Sequence, residues 1–141
     1  MLRSLFFLSL YFHFLFSQEL LVIGDKSFVN QNLTKSEIKA IFLDKKRFIG
    51  ASKILAMNYE SHHPLRSCFE KNILEKSERS LEKYWRKAYY KGKRPPKIIS
   101  SEEMLFLYLE SVQPSIGYID FNSSIGKEVT VLYRLECENN L

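Results

Sequence analysis

Apolar positions along this chain switch between short unbroken runs and helical spacing. The segment "ELLVIG" (19–24) is an apolar run closed by a glycine, the pattern of a buried strand. In "NQNLTKSEIKAIFL", Thr34 and Glu37 have capping-box spacing, and Ile38, Ile41 and Phe42 share one face, so a helix follows Thr34. "KILAMN" (53–58) reads as a second buried strand. Pro64 suits a first helical position, and Leu65, Phe69 and Ile73 fall in line behind it, which predicts a helix over 64–74. Leu81, Tyr84, Trp85, Ala88 and Tyr89 recur three and four residues apart, predicting an amphipathic helix closed by Gly92 and the Pro95–Pro96 pair. "KIIS" is a short strand, and Ser100 with Glu103 forms a second capping box for a helix running to about Val112. "PSIGYIDF" predicts a turn and a strand, and "EVTVLYRL" a last strand.

The predicted order is β-α-β-α-α-β-α-β-β. Strands alternating with helices define an α/β class and a layered domain. No repeat, low-complexity tract or linker interrupts residues 18–141, so they read as one domain.

Residues 1–17, "MLRSLFFLSLYFHFLFS", differ from the rest. One charge, Arg3, precedes an apolar stretch from Leu5 to Phe16, the layout of a secretory signal peptide. The stretch is short for a bilayer span, which takes about 20 residues. Ser17 suits the last position before cleavage. The reading is a signal peptide over 1–17 and a periplasmic domain over 18–141. An uncleaved anchor would leave the domain on the same side of the membrane.

The composition, 45% apolar and 26% charged, is that of a globular chain, not a disordered one. The net charge of +5 permits anionic partners but names none. An exported chain can keep a Cys68–Cys137 disulfide. Cys68, however, falls near the apolar side of its helix, where buried free cysteines are common. Spacing alone leaves both states open.

One stretch concentrates candidate chemistry. In "ESHHPLRSCF" (60–69), a polar cluster runs into a helix start carrying Arg66 in its first turn. Unpaired N–H groups, the positive end of the helix dipole and a guanidinium together suit an anion. A capped helix with a solvated arginine explains the same residues. His62 and His63, with Glu60 or Cys68, match no standard zinc spacing. Gly-x-Ser-x-Gly, His-Glu-x-x-His and Walker patterns are missing, so no enzyme and no cofactor is expected. The basic, aromatic "YWRKAYYKGKRPPK" invites a nucleic-acid reading. Tyr84, Trp85 and Tyr89 share the face of Leu81 and Ala88, however, which makes that face core and the cations a solvated surface. No nucleic-acid partner is expected.

Four segments in order resemble the phosphate-binding-type periplasmic proteins of ABC transporters, which have the type 2 periplasmic-binding fold. "LTKSEIKAIFLDK" resembles that family's Leu-Ser-x-x-Glu-Leu-x-x-Ile-Phe-x-Gly-Lys segment. "HHPLRSCFEKNIL" resembles the segment bearing Ser-Gly-Thr-Arg, or Ser-Pro-Leu-Arg, before Phe and a helix. "YWRKAYYKGKRPPKIISSEEM" resembles its Tyr-Trp, Gly, Pro-Pro and acidic helix start. "QPSIGYID" resembles its Pro-Gly-x-Ile-Gly-Tyr-Val turn and strand. The resemblance implies capture of phosphate or a related oxyanion for an ABC importer. Arg66 falls on the family's ligand-binding Arg. His63-Pro64-Leu65 replaces Ser-Gly-Thr and loses two hydroxyls, a glycine and one N–H donor. The implied anion site is Arg66 with Ser61 and His63 as hydrogen-bonding partners. Family receptors close two lobes over the ligand, and residues 18–141 suit one lobe, so binding is expected to be weak or degenerate. The alternative is a periplasmic protein-interaction module without a small-molecule ligand; the partner expected for the chain is an ABC permease or another envelope protein. A homodimer that rebuilds a two-sided cleft would reconcile the two.

The exported protein should begin within a few residues of Gln18. N-terminal sequencing checks this, and recovery of intact Met1 would contradict it.

Overall fold

A computed structural model describes residues 17–138. The signal-peptide reading of 1–17 lies almost wholly outside them. The elements follow the predicted order with additions. Strand β1 spans Gln18–Gly24, and a short 3-10 turn follows at Lys26–Phe28. Helix α1 spans Lys35–Phe42, and a hairpin of two-residue strands, β2 (Phe48–Ile49) and β3 (Ser52–Lys53), leads to β4 (Leu55–Tyr59). Helix α2 (Pro64–Phe69) continues into a π-helical turn, Glu70–Leu74. Then come α3 (Glu78–Tyr89), β5 (Lys97–Ile99), α4 (Glu102–Ser111), β6 (Ser115–Asp120), the short α5 (Phe121–Ser124) and β7 (Thr130–Cys137).

The main sheet has the order β5-β4-β6-β1-β7. β4 runs parallel to both β5 and β6, whereas β1 is antiparallel to β6 and to β7. β1 is thus an interior strand, and Leu20 to Ile23 are at most 1% exposed. Burial on both faces explains why this run is continuous rather than alternating. The layers follow from neighbours on β6. A side chain at Gly117 would collide with Leu105, so α4 packs tightly over that residue. Tyr118 points the other way, stacking on Phe69 of α2 at 4.2 Å and meeting Phe42 of α1 at 6.3 Å. Helices therefore cover both faces, and the domain is α/β as the pattern predicts.

Local chemistry sets the helix ends. Thr34 and Glu37 form the predicted capping box. The cap of α4 is Ser101, not Ser100: its hydroxyl accepts from the Met104 N–H at 3.2 Å, while Ser100 Oγ turns to the Met104 sulfur. α2 widens because Asn72 Nδ2 donates to the Cys68 carbonyl at 2.9 Å, competing for the acceptor of a regular helical bond. On α3, Leu81 and Ala88 are buried and Tyr84 and Trp85 pack at the core margin, with Tyr84 donating to the Leu43 carbonyl at 2.6 Å. Tyr89 departs from that face: it is 59% exposed and stacks under Arg94 instead.

Cys68 and Cys137 form a disulfide, resolving the alternative left open by spacing. It ties α2 to the far end of the edge strand β7. A cross-link over a sequence separation of 69 restricts the unfolded chain strongly. By loop-closure entropy, its removal should cost about 4 kcal/mol. Urea unfolding with and without dithiothreitol should show this as a lower midpoint. An unchanged midpoint would contradict it.

Candidate functional site

β4, β5 and β6 are parallel, so their carboxyl ends, Tyr59, Ile99 and Asp120, lie along one edge of the sheet. The chain leaves β4 for β5 and crosses back to β6. Open α/β sheets bind ligands where connections diverge in this way. Beyond Tyr59, residues 60–63 make a tight turn: His63 N–H donates to the Glu60 carbonyl at 3.2 Å, and His62 adopts a left-handed φ of 68°. His63 is extended and caps α2. Its Nδ1 accepts from the Leu65 N–H at 3.3 Å, and its ring stacks on Tyr59 at 4.1 Å. In this bond Nδ1 is the acceptor, so the ring serves as the side-chain cap of α2.

Arg66 projects back over the end of β4. Its Nη1 donates to the Tyr59 carbonyl at 2.7 Å, and its Nε donates to Glu70 one turn further along. The Glu70 side chain is 8% exposed and that of Arg66 24%. Two of the guanidinium's donors thus meet acceptors from the same chain. The rest of Arg66 faces an open cavity of about 630 Å³ that Ser61, His62 and Ser67 also line. Lys71 and Lys76 add positive charge to its walls, while Glu70, Glu75 and Glu78 add negative charge. The formal charges of these walls balance, so the cavity has no strong field of one sign.

Of the residues read as candidates, the structure brings Ser61 and Arg66 to one cavity. It places His63 behind them, as the cap that holds the turn. Glu70 was missed, although Arg66-x-x-x-Glu70 is the spacing of an ion pair on one helix face. Tyr59 was missed as well. It is 2% exposed, and its hydroxyl has no hydrogen-bond partner. Burial raises its phenol far above the ordinary value, helped by Glu102 and Glu103 at the start of α4. Burial likewise raises Tyr118, whose hydroxyl donates to Asn58 Oδ1, and it outweighs the opposing charge of Arg66. A second concavity, about 970 Å³, runs along α4 between Phe106, Leu109 and Val129. Among the described residues, no three His, Cys, Asp or Glu side chains gather as a metal set.

No sequence-family model matches the chain, and no curated protein matches it. Among solved structures, an ABC-type phosphate transport receptor from Vibrio cholerae is similar, with a TM-score of 0.62 and 15% sequence identity. The match covers 82% of this chain and 46% of that one. The chain therefore spans about half the length of the receptor that it matches, as a single lobe does. At this identity the likeness establishes the fold alone: an α/β layered domain that resembles one lobe of that receptor. Among the described residues, no helix is long and apolar enough to cross a membrane.

The two buried phenols carry a pH signature. Their folded values lie above the unfolded one, so the native state favours their neutral form. That contribution is fully present below the unfolded value, near 10, and is lost as pH rises toward the folded values. In an alkaline titration followed by phenolate absorbance, Tyr59 and Tyr118 should ionise only as the protein unfolds, after the exposed tyrosines. Ionisation of all tyrosines together, with the fold intact, would contradict their burial.

Proposed function

We propose that the chain is a single-lobe solute-binding protein of the phosphate-receptor type, acting in the periplasm after export and taking phosphate or a related oxyanion weakly at Arg66. The carrying observation is the position of Arg66 at the rim of a concave cavity beside the carboxyl end of β4. In this reading the cavity-facing donors of Arg66 contact the anion, the Ser61 hydroxyl adds a second donor, and His63 holds the turn that presents them. The likeness to a phosphate transport receptor supports this choice of ligand class.

Three features keep the affinity low. Glu70 already engages the guanidinium and repels a second anion. Acidic residues balance the cations of the cavity walls. The described lobe does not by itself enclose the cavity, so water competes for every hydrogen bond there. The natural partner would be an ABC permease or another envelope protein. A second copy placed across the cavity would supply the missing wall. The Arg66–Glu70 pair also favours a second reading, in which the lobe is an interaction module with no small ligand.

Sulfate distinguishes the two readings, because its charge stays fixed over the pH range in which phosphate titrates. Titration calorimetry at low salt should find weak binding to the wild type. Glu70→Gln should tighten it at least about tenfold, the equivalent of one charge-assisted hydrogen bond. Arg66→Gln combined with Glu70→Gln removes the cation without stranding a buried carboxylate, and it should abolish binding. Binding that survives the double substitution would place the site elsewhere. If all three folded proteins fail to bind, the interaction-module reading stands.

A further inference from the structure

We propose that the outer face of α3, with the turn after it, docks the protein on an anionic lipid surface. Residues 79–97 contain eight Lys and Arg against one acidic residue, a larger positive charge than the net +5 of the whole chain. The helix sorts this charge by face. Leu81 and Ala88 turn inward, while Arg79, Lys83, Arg86 and Lys87 are exposed on the side opposite the buried residues. The stripe runs into Tyr90, which is 88% exposed, and then into Lys91 and Arg94.

The tip is aromatic as well as basic. Tyr89 is 59% exposed and meets Tyr90 edge-on at 6.0 Å. Arg47 Nη2 donates to the Gly92 carbonyl at 2.8 Å, holding the β2–β3 hairpin and its 52%-exposed Phe48 beside the turn. Asp44, the nearby carboxylate, is occupied by Arg47 at 2.7 Å and by the Arg94 N–H at 3.0 Å. Exposed tyrosines flanked by cations match the lipid headgroup layer, where phenol rings sit among phosphates and each cation adds attraction.

Other anionic partners fit less well. One face of Tyr89 is covered by the Arg94 guanidinium at 4.2 Å, which leaves it poorly placed to stack on a base. Neither concavity described above includes these residues. Protein interfaces are depleted in lysine, whereas this surface is rich in it.

Co-sedimentation of the full chain with vesicles of phosphatidylcholine, with and without phosphatidylglycerol, tests the proposal. Binding should require phosphatidylglycerol and weaken steeply with salt. Each cation near such a surface contributes about fivefold in affinity, so Lys83→Gln, Lys87→Gln and Lys91→Gln together should weaken binding roughly a hundredfold. These side chains are exposed, and an unchanged thermal midpoint checks that the fold survives. Tyr90→Ser should weaken binding several-fold with every charge kept. Any contribution from residues 1–17 is common to wild type and variants and cancels in the comparison. Equal binding to both vesicle types, or a triple variant that binds like wild type, would overturn the proposal. So would tighter binding to a nucleic-acid oligonucleotide than to the anionic vesicles at the same salt.

Discussion

The fold depends on one strand running against its neighbours. β1 is hydrogen-bonded along both edges, to β6 on one side and β7 on the other. It is buried on both faces as well. Asp25, immediately after it, is 4% exposed and clasps β6: its N–H donates to the Ser115 carbonyl, and its Oδ1 accepts from the Ser115 N–H, both at 3.0 Å. This pairing leaves β4, β5 and β6 as a parallel set whose carboxyl ends reach one edge together. The cavity beside α2 follows from that arrangement.

At that edge, a partly buried guanidinium sets the local design. Arg66 cannot be left unpaired in such surroundings, and the end of β4 offers only a carbonyl. Glu70 supplies the missing charge from the next turn of the same helix. The chain thus completes its own arginine, with Glu70 on Nε and the Tyr59 carbonyl on Nη1.

Much of this was legible in the order of residues. Alternating periods revealed the α/β layers, because buried strands and amphipathic helices leave unlike patterns. The interior position of β1 was not legible, since its apolar run fits any strand buried on both faces. The β2–β3 hairpin escaped because two-residue strands leave no periodicity. Ser100 and Ser101 both lie near the start of α4, and only the backbone geometry chooses between them. Tyr89 shares the helical angle of the core face but lies at the last turn, where the helix has passed the edge of what it packs on. For the site, the resemblance pointed to Arg66, and Ser61 reached the same cavity. The role of Glu70 needed the distance between the two side chains, although their spacing was in view.

The partners of β1 arrive late. A strand made at residues 18–24 finds its first neighbour only when residue 115 has been made, and its second only at residue 130. Throughout that interval an apolar ribbon stands with both edges open, ready to join any other strand it meets. Helix pairs can settle as they emerge; this sheet cannot. Whatever holds the chain extended until residue 130 is made therefore limits aggregation without delaying a fold that could not yet have formed.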